Sequence, residues 1–286
     1  MAPQSQSLDH LILFLPLNPT TSLPQIPPFL SQNFTLTPGG FHADGATSNT
    51  LILLADGCYM ELISFVDTAK AATHWWGPSS AFVGWKDWCL TNALTAGENF
   101  ELVGETHAEP VEGGRKRADG VDVKWAVTFP KGERGGQGVR GRVPFFCHDV
   151  TPRDVRVPLA GENITHKCGV LGVRSLSVVV KDEGVMEVTR VAYERLFGEV
   201  GKDVNGELHY QAGQVKQVDG LHGATIILRL AKSEEERKKV ESTGFWYGDV
   251  VLSARARDDK VAGTREKLDK EDSESRGVSG LWIEYV

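Results

Sequence analysis

The apolar positions fall into short blocks separated by turn residues, a spacing that suits strands of about four to eight residues better than long helices. Residues 8–15 (LDHLILFL) predict the first strand. A loop carrying Pro16, Pro19, Pro24, Pro27 and Pro28 follows and leaves room only for a short helix around Phe29 to Asn33. Residues 38–50 are turn-rich, and residues 51–55 and 58–65 (LILLA and CYMELISF) predict two strands joined by the Asp56-Gly57 hairpin signal. Further strands are expected near 82–90, 121–129 and 143–148, then at 170–180, 207–215, 223–231 and 280–286. Helical spacing puts Val185, Val188, Ala192 and Leu196 on one face over 185–197, with Gly198 as the stop, and Ser233 can cap a second helix over 233–241.

An echo runs through this pattern. Tyr59-Met60-Glu61-Leu62-Ile63 and Trp282-Ile283-Glu284-Tyr285-Val286 share the order aromatic, apolar, Glu, apolar, apolar. Together with the recurring order of strand, helix and strands, this predicts an α+β protein of repeated βαβββ units. The expected organisation is a pair of units over 1–160 and an additional unit over 161–286, with a charged insertion near 253–276 where fourteen of twenty-four residues are charged. Two basic, glycine-rich stretches, 112–120 and 131–142, read as mobile, solvated rims, because charge runs are usually surface.

Composition narrows the function classes. The chain has 286 residues, 31 Lys and Arg against 38 Asp and Glu, and a formal net charge of −7, which argues against a polyanion such as nucleic acid as the main partner. The longest early apolar run, residues 11–17, is too short for a bilayer, and the preceding residues lack the basic region of a secretory leader, so neither a membrane partner nor export is expected and the location reads as cytoplasmic. Four dispersed cysteines form no C-x-x-C pair and imply no disulfide framework. Gly136, Gly138 and Gly141 spell a dinucleotide fingerprint, but without a preceding strand and a following helix the match is fortuitous.

The chemistry-bearing residues emerge from strand alternation. Leu8, His10, Ile12 and Phe14 should share one face, and Tyr59, Glu61, Ile63 and Phe65 another. An ionised Glu in an apolar stripe is costly unless it meets a cation or a donor. His10 or an Arg could satisfy it, or a metal held by imidazole and carboxylate, with His148 as a third candidate ligand if the strands converge. His42 and Asn49 lie in the turn-rich segment and are candidate substrate contacts, since loops build pocket rims; His74 and His166 rank lower. Trp75, Trp76, Trp85 and Trp88 could wall a pocket, and the alternative for each is a place in the core.

The segments LDHLIL at 8–13, GGFHADGATSN at 39–49, CYMELISF at 58–65, VPFFCHDVTP at 143–152 and THKCGVLGV at 165–173 together resemble the glyoxalase-like domain family of the vicinal oxygen chelate (glyoxalase/bleomycin resistance/dioxygenase) superfamily. The resemblance covers residues 8–180. It implies paired βαβββ units curled into a cupped mixed sheet, with metal ligands on the first and last strands of each unit. Carried onto this chain, it makes His10 the first-strand ligand and Glu61 the fourth-strand ligand. The strand near 82–90 offers neither His nor Glu, and His148 stands at the position corresponding to Glu61. In the C-terminal unit, Ser175 stands opposite His10 and Glu284 opposite Glu61.

The resulting expectation is a divalent metal ion (Zn, Mn, Ni or Fe) on His10, Glu61 and His148, and an isomerase or lyase acting on a small, oxygen-rich substrate with Glu61 as the proton shuttle. An extradiol-type dioxygenase and a metal-free module that sequesters a small molecule are the alternatives, and a homodimer is an assembly compatible with the resemblance. His10 and Glu61 should point into one cavity about 3 to 5 Å apart, given ligand bonds near 2 Å.

Overall fold

The computed structural model describes residues 5–77, 79, 81–117, 119–257, 259–269 and 278–286. Residues 1–4, at the head of the segment read for a leader, and 270–276 of the expected charged insertion lie outside the described residues. Among the described residues, fifteen strands and five α-helices order as follows. The first unit is β1 (Ser7–Phe14), α1 (Pro28–Asn33), β2 (Thr37–His42), β3 (Thr47–Leu53) and β4 (Tyr59–Phe65). The second is β5 (Gly84–Thr91), α2 (Ala96–Val103), β6 (Val111–Lys116), β7 (Asp122–Thr128) and β8 (Phe145–Asp149). After α3 (Arg153–Arg156), a third unit runs through β9 (Val170–Val180), α4 (Glu183–Phe197), β10 (Lys202–Val204), β11 (Glu207–Ala212) and β12 (Ala224–Leu230). It is followed by α5 (Glu234–Glu241), β13 (Phe245–Ala254), β14 (Arg265–Lys267) and β15 (Leu281–Tyr285).

The first two units close into one barrel of order β1-β4-β3-β2-β6-β7-β8-β5, and the remaining strands form a seven-stranded sheet of order β10-β11-β12-β9-β13-β15-β14. One pairing rule recurs. β1 lies parallel to β4 and antiparallel to β5, and β9 lies parallel to β12 and antiparallel to β13. No helix among the described residues is long and apolar enough to cross a membrane.

Alternation divides the core. Leu11, Leu13, Met60, Leu62, Leu90 and Phe146 leave the barrel outward and pack with Leu176, Val178, Ile226, Leu228, Leu252 and Ile283 of the second sheet. Ile12, Phe14, Ile63, Phe65, Cys89, Val127 and Phe145 turn inward and fill the barrel. Leu8 departs from its expected face and joins the inter-sheet core, because the β1–β5 register shifts between Leu8 and His10 and a bulge turns the strand there.

Three expectations need correction. The stretches 112–120 and 131–142 are not simple rims: the first holds most of the barrel strand β6, and Arg115 and Arg142 are buried. Arg140 packs over the Phe129 ring at 4.5 Å. The turn-rich segment 38–50 instead holds β2 and the start of β3. Glu284 is not the counterpart of Glu61 in the third unit. It lies on β15, beside β13, and pairs with Arg174 at 2.9 Å. The strand parallel to β9 is β12; the pair Ser175–Thr225 repeats His10–Tyr59, which puts Ile227 where Glu61 stands.

Candidate active site

The barrel encloses a cavity of about 130 Å³ on its open side, and His10, His42, Asn49, Tyr59 and Glu61 all line it. β1 carries His10 inward. Its Nδ1 lies 2.6 Å from Asp9 Oδ1. The ring stacks on Tyr59 at 4.7 Å and meets the edge of Phe145 at 5.3 Å. Asp9 is fully buried and anchored by two arginines: Arg156 donates to both of its oxygens at 3.0 Å, and Arg153 donates to Oδ2 at 2.6 Å. Burial alone would raise the Asp9 pKa, but the charges of Arg153 and Arg156 and the His10 contact hold it well below the usual carboxylate range. An anionic Asp9 takes the Nδ1 proton of His10 as a hydrogen bond and leaves Nε2 to face the cavity.

Glu61 follows from the alternation of β4, which turns Tyr59 and Glu61 to the cavity and Met60 and Leu62 to the inter-sheet core. Its Oε2 lies 3.7 Å from His10 Nε2. Its Oε1 lies 3.4 Å from His42 Nε2 and accepts a 2.6 Å hydrogen bond from Asn49 Nδ2. Burial would raise the Glu61 pKa, but His42, His10 and the Asn49 amide outweigh it and bring the value down to about 2. His42 is fixed in turn by Thr47, whose Oγ1 lies 2.6 Å from Nδ1, and by the Trp125 ring at 5.8 Å. Asn49 reaches Glu61 because β2 presses close to β3 at Gly39, where an added Cβ would fall 1.9 Å from Asn49 Oδ1.

His148 does not join this group. In the parallel pair β5–β8, Cys89 faces Phe145, so the inward positions of β8 are 145 and 147, and His148 faces outward with Phe146. Its Nε2 lies 3.2 Å from Asn92 Oδ1, beside a separate outer pocket. By the same register, the second-unit counterparts of His10 and Glu61 are Cys89, which pairs with His10, and Cys147, two residues beyond Phe145. Asp9, His10 and Cys89 form a compact trio of ligand-type atoms within 4.8 Å. Both Asp9 oxygens in that trio are already taken by guanidinium groups.

Trp75 and Trp76 line the cavity, as does His74 at its Asp44 side, where His74 Nε2 lies 3.4 Å from Asp44 Oδ2. Trp85 and Trp88 belong to the inter-sheet core. His166 is structural: Thr35 N donates to its Nδ1, and its Nε2 lies 2.8 Å from the Leu53 carbonyl. Sequence reading missed Arg115, Trp125 and the Asp9–Arg153–Arg156 network. The only signals for them were the Asp-His pair at 9–10 and the basic run at 115–117.

A family model described as a glyoxalase-like domain matches residues 8–197. Among solved structures, a hypothetical protein from Staphylococcus aureus shares the fold with a TM-score of 0.65 at 14% identity, covering 98% of this chain and 100% of its own. A xylose isomerase-like TIM barrel/4-hydroxyphenylpyruvate dioxygenase fusion protein aligns with a TM-score of 0.47 at 12% identity, over 90% of this chain and 38% of its own. Methylmalonyl-CoA epimerase from Mycobacterium tuberculosis aligns with a TM-score of 0.27 at 15% identity, over 41% of this chain and 89% of its own. No curated protein gives a significant match.

Proposed function

The chain belongs to the glyoxalase-like domain family, with the barrel of the vicinal oxygen chelate superfamily, and from that premise we propose a metal-dependent isomerase or lyase that acts on a small, oxygen-rich substrate in the barrel cavity. His10 and Glu61 are the residues that would hold the divalent ion. The observation that carries this reading is the 3.7 Å approach of His10 Nε2 to Glu61 Oε2 in a buried site. With Nδ1–H given to Asp9, Nε2 offers a lone pair to an anionic oxygen, and two acceptors so placed call for a cation between them. The separation suits two ligands with bonds near 2 Å to a common centre.

Bound there, a divalent ion would serve as a Lewis acid toward vicinal substrate oxygens. The protein's own groups divide the remaining work. A carboxylate that holds the ion is not free to take up a substrate proton, so the proton-shuttling role expected of Glu61 passes to an imidazole. His42 Nε2 faces the cavity within 3.4 Å of Glu61, and Thr47 fixes its ring. In this reading His42 moves the substrate proton, and Asn49 orients the Glu61 carboxylate. The aromatic lining from Trp75, Trp76 and Phe129 excludes water from that transfer.

Metal analysis after chelation and reconstitution tests the assignment. About one equivalent is expected on the wild-type protein and on His148→Ala, with loss on His10→Ala and Glu61→Gln. Wild-type protein that takes up no metal, or His10→Ala protein that keeps it, overturns the reading and favours a metal-free binding role.

A further inference from the structure

One cavity residue has no part in metal binding or proton transfer. Arg115, on β6, is 6% exposed and lines the cavity. Its guanidinium donates from Nη1 to the Gly39 carbonyl at 2.8 Å and from Nη2 to the Arg156 carbonyl at 3.3 Å. Among the described residues no carboxylate forms an ion pair with it, and the nearby Glu61 pairs instead with His10 and His42. Two other buried arginines show the contrast: Arg156 has Asp9 and Asp149, and Arg229 has Glu236 and Asp249. Burial also presses the Arg115 pKa downward, and Tyr59 and the Glu61 carboxylate, which lies beyond ion-pair distance, offset this only in part. A buried charge ordinarily meets a partner, because leaving it alone costs several kcal/mol. Guanidinium has five N–H donors in a fork that matches a carboxylate, and two backbone bonds leave the fork incompletely used.

The rest of the lining sets the body of the ligand. Trp75, Trp76, Trp125, Phe129 and Phe145 give the cavity an aromatic wall. Its volume of about 130 Å³ is close to the roughly 150 Å³ of an engineered apolar cavity that accepts benzene. We propose that the cavity binds a small, flat monocarboxylate of single-ring size, with its carboxylate paired to Arg115 and its apolar body against the tryptophan and phenylalanine wall. This names the substrate class of the site proposed above. It requires the cavity to be the binding site but does not require the metal.

The test is a titration of the full chain in the presence of a chelator, read by intrinsic tryptophan fluorescence, with benzoate, its neutral counterpart benzamide, and acetate. Benzoate is expected to bind saturably and at least tenfold more tightly than benzamide or acetate. In Arg115→Met that preference should vanish while benzamide affinity stays unchanged, and Arg115→Lys should keep part of it. Equal binding of benzoate and benzamide by the wild-type protein overturns the proposal without any variant, as does a preference that survives in Arg115→Met. Failure of the metal reading is seen separately: a protein that takes up no metal yet prefers benzoate loses that reading and keeps this one.

Discussion

His10 offers one nitrogen to the cavity because Asp9, its neighbour in the chain, holds the other at 2.6 Å. Asp9 is itself held by arginines more than a hundred residues away, and no pattern in the sequence connects them. The pair His10 and Glu61 was legible because each breaks an apolar stripe of period two. His148 was expected on the cavity face and lies on the other, since a displacement of one residue reverses the face of a strand. The state of Glu61 yields a pH prediction. Its folded pKa of about 2 lies below the ordinary 4.5, so its contribution to stability is fully present above about pH 4.5 and is lost as the pH falls toward 2. The wild-type protein should lose on the order of 3 kcal/mol more than Glu61→Gln across that window. Chemical denaturation at a series of pH values measures the difference; parallel profiles for the two proteins would remove the charge from Glu61.

Strands with clean alternation, β1, β4, β9 and β12, were readable, whereas those that depend on a close approach were not. β2 contains Pro38-Gly39-Gly40, a turn signal by composition, yet Gly39 is there to admit Asn49, and Gly40, with φ 143°, passes the Lys116 carbonyl of β6. β6 was hidden by its glycines and charges. The Asp56-Gly57 hairpin was legible as a turn, but its second role was not: Asp56 Oδ2 accepts from Val173 N and so ties the barrel to β9. Gly172 makes that tie sterically feasible, since an added Cβ would lie 2.3 Å from Asp56 Oδ2. Gly172→Ala should therefore cost about 2 kcal/mol, within the range for overpacked sites. Unfolding in urea checks this, and a loss under 0.5 kcal/mol would mean that the Asp56 contact is not a constraint on the interface.

At the scale of the molecule, the same strand pairing is used twice among the described residues, and the barrel closes around a cavity lined by His10, His42 and Glu61. In the second sheet the corresponding positions carry Ser175 and Ile227, and they line a separate pocket in which Arg229 is paired with Glu236 and Asp249. The repeat was visible in the sequence, but the echo of Glu61 in Glu284 misled, because five residues of similarity do not fix which strands pair. Even inside the barrel the two units are unequal: thiols at Cys89 and Cys147 stand where the first unit has His10 and Glu61, so the ion is expected on one side of the cup. Anomalous diffraction from crystals soaked in Zn²⁺ or Mn²⁺ tests this most directly. A single strong peak about 2 Å from both His10 Nε2 and a Glu61 oxygen is the expected result. A peak on His148, or an empty cavity beside ions bound elsewhere, would contradict it.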